Sequence, residues 1–315
     1  MEKQEMAEAV ACLQQDPIKF HYFKDRYALM LLSSVVGEGK KIKELKSTEW
    51  SKLLCKPPVK EVLQNVGSQI LTSSMLDAFW PQDSHCYLLT LGTWGGHQAS
   101  YQQTSRPGWN LVVQLNFSSR HNRPYERLVK PGQRHPFHPF SHPVSKEAGR
   151  HTLAWARIDL DLEEGEALIE EIQNDWIRLA LKSRQLFSNY RGCETRYKPA
   201  YIREVGGDLA SLSSYVDTVL QPHIDIWQET MLMGALWYIK NEIGIRDIFY
   251  HTFDFGCRLK AINGRRPPRS LYTRLPEQFC FQKTERRPSF LLKKNTRKAS
   301  AVLKEEGHYF YCLQL

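Results

Sequence analysis

The sequence predicts an α+β fold: a mixed, mostly antiparallel central sheet with flanking helices, preceded by a helical N-terminal region. Three observations carry this expectation. Apolar residues recur at three- and four-residue spacing through residues 1–80. Strand-like runs and a hairpin follow between 86 and 173. A long, largely apolar helical stretch at 225–244 then separates them from short strands near the C-terminus.

In residues 1–80, "MAEAVACLQQ", "FKDRYALMLLSSVV", "IKELKSTEWSKLL" and "VKEVLQNVGSQILTSSMLDAF" read as helices, punctuated by Pro17, Gly37/Gly39 and Pro57-Pro58. "GEGKK" at 37–41 lacks the spacing and the preceding strand of a phosphate loop and reads as a turn. "CYLLTLGTW" and "WNLVVQLNF" are rich in β-formers and read as strands joined by a loop. Residues 118–150 read as a long loop, of a kind that is usually functional or disordered. "TLAWARIDLDL", "EEGE" and "ALIEEIQ" make a hairpin over 152–173, and Asp175 then stands where a helix N-cap belongs. "DIWQETMLMGALWYIKNEIG" is a helix ended by Gly244, and "IRDIFYHTF" a short strand. "PPRSLYTRLPEQFCFQ" reads as a turn, a short helix and a strand, and "GHYFYCLQL" as a terminal strand docked on the sheet. The expected division is a helical region over 1–80 and an α+β domain over 81–315, with insertions at 118–150 and 177–224.

Composition narrows the function classes. Of 315 residues 42% are hydrophobic, enough for a sizeable core, yet no apolar run approaches the roughly 20 residues that span a bilayer. The mixed-charge N-terminus lacks the apolar core of a signal peptide, so a cytoplasmic protein without membrane contact is expected. Seven widely spaced cysteines without C-x-x-C fit reduced thiols. The net charge of +9 concentrates between Arg258 and Lys304, where fourteen Lys and Arg face only Glu277 and Glu285. That segment suits a polyanion, such as nucleic acid or a nucleotide-containing ligand, or is a solvated basic surface. No cofactor and no oligomeric state is legible.

The candidate site centres on "IEEIQNDW" at 169–176. Strand alternation points Glu171 and Gln173 one way, and Glu170 and Ile172 the other. Three readings stand side by side. Glu171 and Gln173 could serve as a general base and its partner in transfer to an amine. Asp161 and Glu171 could hold a divalent metal with Gln173 orienting water, as in a nuclease strand. Or Asp175 caps the next helix, Trp176 is core, and the acids line a solvated hairpin, a buried one needing a partner such as Arg157. His251, ending the strand "IFYHT", is a candidate ligand-site or buried structural histidine. Arg265, Arg266 and Arg269 in "GRRPPR" could clamp phosphate. His135, His138 and His142 each precede proline, and no Cys or acid completes a metal set.

The succession of helices, antiparallel strands, long apolar helix, strand, short helix and closing strands resembles the N-acetyltransferase superfamily. "ETMLMGALWYIKNEIGIRDIFYHTFDFGCRLK" is similar to its central helix and following strand. "SLYTRLPEQFCF" is similar to its tyrosine-bearing short helix. The resemblance covers roughly residues 86–315. It implies a transferase-like, acyltransferase-related enzyme in which Tyr272 stands where such folds carry a tyrosine acid. The family's Q/R-x-x-G-x-G/A pyrophosphate loop has no counterpart in "PHIDIWQETMLMGAL", where Gly234 lies inside the helix and Asp225 and Glu229 would repel phosphate. "EEIQNDW" also resembles the "EIQSDW" signature of domains in polyvalent proteins of phages and conjugative elements. That likeness implies shared architecture and a mobile-element or defence setting. A nucleic-acid-binding protein or nuclease, and a non-catalytic interaction protein, are the other classes.

Overall fold

The computed structural model describes residues 1–13, 16–67, 69–96, 103–139, 141–187, 189–190, 199–262, 264, 266–293, 301–304 and 310–315. Among them, eight strands form one sheet. In chain order they are β1 (Ile18–Tyr22), β2 (His85–Gly96), β3 (Gly108–Phe117), β4 (Thr152–Asp161), β5 (Glu166–Gln173), β6 (Asp247–His251), β7 (Gln282–Thr284) and β8 (Phe310–Gln314). The spatial order is β1-β2-β3-β4-β5-β6-β8-β7, and every neighbouring pair is antiparallel except β5 and β6. The fold is therefore α+β with a mixed, mostly antiparallel sheet and flanking helices.

The helices that matter below are α1 (Lys3–Cys12), α2 (Arg26–Val36), α3 (Asn122–Val129), α4 (Asp175–Phe187), α5 (Trp227–Tyr238) and α6 (Phe253–Leu259). The parallel step from β5 to β6 requires a long crossover, and α4 and α5 lie in it. α5 is apolar around most of its circumference, as a helix buried between layers must be. Met231, Leu232, Met233, Ala235 and Leu236 are all buried against the sheet and α2. Gly234 permits the close approach, because a Cβ there would stand 3.2 Å from a Leu89 methyl. One wide turn, Ile239–Ile243, extends the helix to Gly244, which ends it with φ 82°.

Alternation along the strands sends Leu111, Val113, Ala154, Ala156, Ile158 and Ile169 into this main core. The opposite face carries two smaller apolar groups. Leu168, Phe249, Phe255 and Phe310 form one, and Val112, Val144 and Trp155 the other. No helix among the described residues is long and apolar enough to cross a membrane.

Three expectations need correction. The N-terminal region is not all helical: Ile18–Tyr22 pairs with β2 at the sheet edge, and five residues are too few for periodicity to distinguish strand from helix. The expected long loop at 118–150 contains α3, with Tyr125 and Val129 fully buried. Pro124 is compatible with this helix because it lies in the first turn, where backbone N–H groups lack helical acceptors anyway. Finally, Asn174 caps α4, its side-chain oxygen accepting from the Ile177 N–H at 2.8 Å, while Asp175 is engaged elsewhere.

Beside α3 lies a pile of aromatic and imidazole rings. His121 stacks on Phe117 at 3.8 Å, and both meet Trp176 edge-on. The Trp176 indole N–H donates to the Tyr215 hydroxyl at 2.7 Å. Tyr215 in turn lies 2.8 Å from His121 Nε2. Burial drives these histidines to the neutral form: His121 falls to about 2, His151 to about 4 and His223 to about 3.

Two outcomes follow. Below pH 6.5 the unfolded chain takes up protons that folded His121 and His151 refuse. Stability is therefore full above that pH and falls below it by about 1.4 kcal/mol per pH unit for each, until the folded value is reached. Urea unfolding at neutral and mildly acidic pH checks this, and equal midpoints would contradict it. Asn174→Ala costs about 1 kcal/mol as a lost cap, read from the same midpoints.

Candidate functional site at the parting of two parallel strands

The hairpin of β4 and β5 contains a bulge. Arg157 faces Glu171 and Ile158 faces Ile169, so Glu170 is the extra residue. Parallel pairing between β5 and β6 runs from Glu166 and Asp247 to Ile169 and Tyr250, and then stops. The next residues, Glu170 and His251, face each other from the separating ends. Their Oε2 and Nε2 atoms lie 3.0 Å apart, and both side chains are fully buried.

Ser105, from the connection between β2 and β3, completes the carboxylate's partners. Its N–H donates to Glu170 Oε1 and its hydroxyl to Oε2, both at 2.9 Å. Lys260, just after α6, donates to the Glu170 carbonyl oxygen at 2.6 Å. Burial alone would raise the Glu170 pKa. The contacts with His251, Lys260 and the Ser105 N–H outweigh it and hold the group ionised, at about 2. Burial lowers the pKa of His251, and its contact with Glu170 works against that. Ser105 Oγ also lies 3.0 Å from that same nitrogen. Serine and acid thus share one ring nitrogen, so this is not a relay through the imidazole of the Ser-His-Asp kind. Nδ1 of His251 has no hydrogen-bond partner among the described residues. Gly256 leaves room for the ring, since a Cβ there would approach the His251 Cβ to 2.8 Å.

Beyond β6 a cleft of about 580 Å³ opens, lined by Thr252, Phe253, Arg258, Arg269, Tyr272 and Lys283, among others. Tyr272 is 2% exposed, packs 5.5 Å from Tyr250, and has no partner for its hydroxyl among the described residues. Burial pushes its pKa well above the usual range, so it remains an O–H donor. Lys260 Nζ stands 5.7 Å from its ring centre.

The structure brings some of the expected residues together and separates others. His251 and Tyr272 lie on either side of the strand end. Glu171 does not reach His251's carboxylate partner position, because the bulge gives that place to Glu170. It pairs instead with buried Arg157, which also donates to the Gln103 carbonyl at 3.1 Å. Gln173 donates to Asp175 Oδ1 at 2.7 Å, further along the strand. Arg269 lines the cleft and lies 3.4 Å from Asp254, and Arg266 lies 3.9 Å from the same carboxylate. Arg265 lies outside the described residues. The Asp161, Glu171 and Gln173 metal set is not assembled. Asp161 faces Glu166 beside the turn, four strand positions from Arg157 and Glu171, about 13 Å at ordinary strand rise.

Sequence reasoning missed Glu170, Ser105 and Lys260. The available signal was the doublet of acids inside an apolar strand, because simple alternation cannot bury one and expose the other without also exposing Ile169 or Ile172. No protein-family model, curated protein or solved structure matches this chain.

Glu170→Ala strips the ionic partner from buried His251 and Ser105 and destabilises by about 3–5 kcal/mol. Glu171→Gln keeps an acceptor for Arg157 but removes the counter-charge of that buried guanidinium, at a smaller cost of about 1–3 kcal/mol. Chemical denaturation of the two variants checks the contrast, and the reverse order would refute the assignment of the buried role.

Proposed function

We propose that this protein is a transferase-like enzyme of acyltransferase-related architecture, taking an anionic, phosphate-bearing donor in the cleft beyond β6. The observation that carries the reading is the polar wedge between β5 and β6, with the cleft beside it. Ligands of α/β sheets favour the carboxyl ends of parallel strands, and a cleft of this volume suits a small molecule. The strand succession supports kinship with the N-acetyltransferase superfamily: antiparallel strands, a parallel crossover through an apolar helix, then a short helix and closing strands. A mobile-element or defence setting is part of the proposal on the strength of "EEIQNDW" alone.

The start of α5 is not where phosphate goes in this reading. Glu229 there accepts from Lys24 Nζ at 3.0 Å and from the Asp25 N–H at 2.8 Å. An anion would meet that carboxylate. Arg258, Arg269 and Lys283 offer the positive charge instead, and the faces of Phe253 and Tyr272 offer apolar surface for a base or ring. Tyr272 is the proton donor to the departing group.

Native mass spectrometry with acetyl-CoA, ATP and a short oligonucleotide offered in parallel tests the proposal. One nucleotide-bearing small ligand per chain is expected, weakened about tenfold or more by Arg269→Glu. Tyr272→Phe should retain that ligand and slow transfer by about 100-fold. Retention of none of the three sinks the proposal. Binding of the oligonucleotide alone, falling steeply with salt, moves the protein to the nucleic-acid-binding class.

A further inference from the structure

A second acid–base centre lies past the end of β5. Asp175, 3% exposed, receives four donors. Its Oδ2 is 2.6 Å from His142 Nδ1 and 3.2 Å from the Trp155 indole nitrogen. Its Oδ1 accepts from Gln173 Nε2 at 2.7 Å and from Arg178. Burial alone would raise its pKa, but His142, Arg178 and Gln173 bring it down to about 2. Asn174 has taken over the capping of α4, so this carboxylate is free to orient the imidazole.

Nδ1 stands 2.6 Å from Asp175 Oδ2 and 3.1 Å from Gln173 Nε2. An ionised carboxylate only accepts and holds the shorter contact, and the amide is already spent on Asp175 Oδ1, so the ring's N–H belongs on Nδ1 and Nε2 keeps the lone pair. Among the described residues Nε2 makes no hydrogen bond. His142 is 29% exposed and stands edge-on to Trp155 at 5.7 Å. It lines two adjoining cavities of about 540 and 430 Å³. Thr90, Thr93, Trp94 and Gln114 give the larger one a polar wall with one aromatic face. A buried carboxylate, an imidazole it orients and an unengaged ring nitrogen at a cavity are the parts a general base needs.

We infer that His142 and Asp175 form an acid–base dyad that activates a nucleophile in this cavity for attack on an ester or thioester carbonyl. The nucleophile is water, or a hydroxyl or amino group of a polar substrate. Nε2 takes the proton of its O–H or N–H. The released electron pair forms the bond to the carbonyl carbon, and the leaving group departs with its bonding pair and receives the proton from the imidazolium. Asp175 holds the tautomer and faces the cation while it exists. The inference stands apart from the proposal for the β6 cleft, because the cavities around His142 share no lining residue with that cleft.

Hydrolysis of p-nitrophenyl acetate by the full chain, followed between about pH 5 and 9, tests it. The wild type should exceed equimolar imidazole, with a rate that rises as one imidazole loses its proton. The titratable and charged groups around His142 are Asp175 with Arg178 on it, Lys146, Glu147 and Arg150, and His135, His138 and His151 in the smaller cavity. His142→Gln retains a donor for Asp175, so it preserves any purely structural tether while removing the base. It should melt like the wild type and lose about 100-fold of the rate. Asp175→Asn should lower the rate and shift the pH profile. A wild type no faster than imidazole, or an unimpaired His142→Gln, overturns the inference. If His142→Gln does not fold, carbethoxylation of the wild type decides. Loss of esterolysis in step with labelling of His142 supports the dyad, and activity surviving complete labelling there overturns it.

Discussion

A carboxylate buried where two parallel strands part is the constraint on which the rest of this structure depends. An ionised Glu170 cannot be left dry without partners, at a cost of several kcal/mol. Its partners come from distant parts of the chain: Ser105 before β3, His251 at the end of β6, and Lys260 after α6. Satisfying one charge therefore ties a connection, a strand end and a helix end to a single point. The same connection is tied a second time by Arg106, which grips buried Asp159 with two nitrogens at 2.7 and 3.0 Å. The fork geometry of the guanidinium makes that contact directional as well as ionic.

The bulge makes this arrangement possible. Period-two alternation would send Glu170 and Glu171 to opposite faces, with one of them in the apolar core under α5. The extra residue resets the alternation, so that each acid finds its own cation or donor set on the polar face. It also ends the β5–β6 ladder, which opens the wedge. The division of labour between the faces follows. One face packs against α5 and α2 through aliphatic side chains, and the other carries ion pairs, indoles and cavities.

The histidines divide along the same line. His121, His151 and His223 sit among aromatic rings, where the neutral form is the cheaper one to bury. His251 touches a carboxylate out of reach of solvent, and burial still lowers its pKa. His142 combines a buried acid on one nitrogen with a cavity beside the ring. Burial thus separates the imidazoles that serve as packing from His142, which faces a cavity.

Much of the architecture was legible in the sequence because it depends on local pattern. The hairpin over 152–173 shows its alternation, α5 shows its apolar circumference and its terminal glycine, and the closing strand shows its β-formers. The membership of Ile18–Tyr22 in the sheet was not legible, because an edge strand of five residues is defined by its partner's hydrogen bonds rather than by its own periodicity. Nor was the exchange of roles between neighbours: Glu170 for Glu171 at the buried site, and Asn174 for Asp175 at the cap. Which of two adjacent polar residues is buried depends on register, and register is set by the facing strand. The sequence alone showed that polar residues cluster at the end of β5. Only tertiary structure decided the partners: Ser105, His251 and Lys260 for Glu170, Arg157 for Glu171 and His142 for Asp175, through pairings and crossovers that no local pattern records.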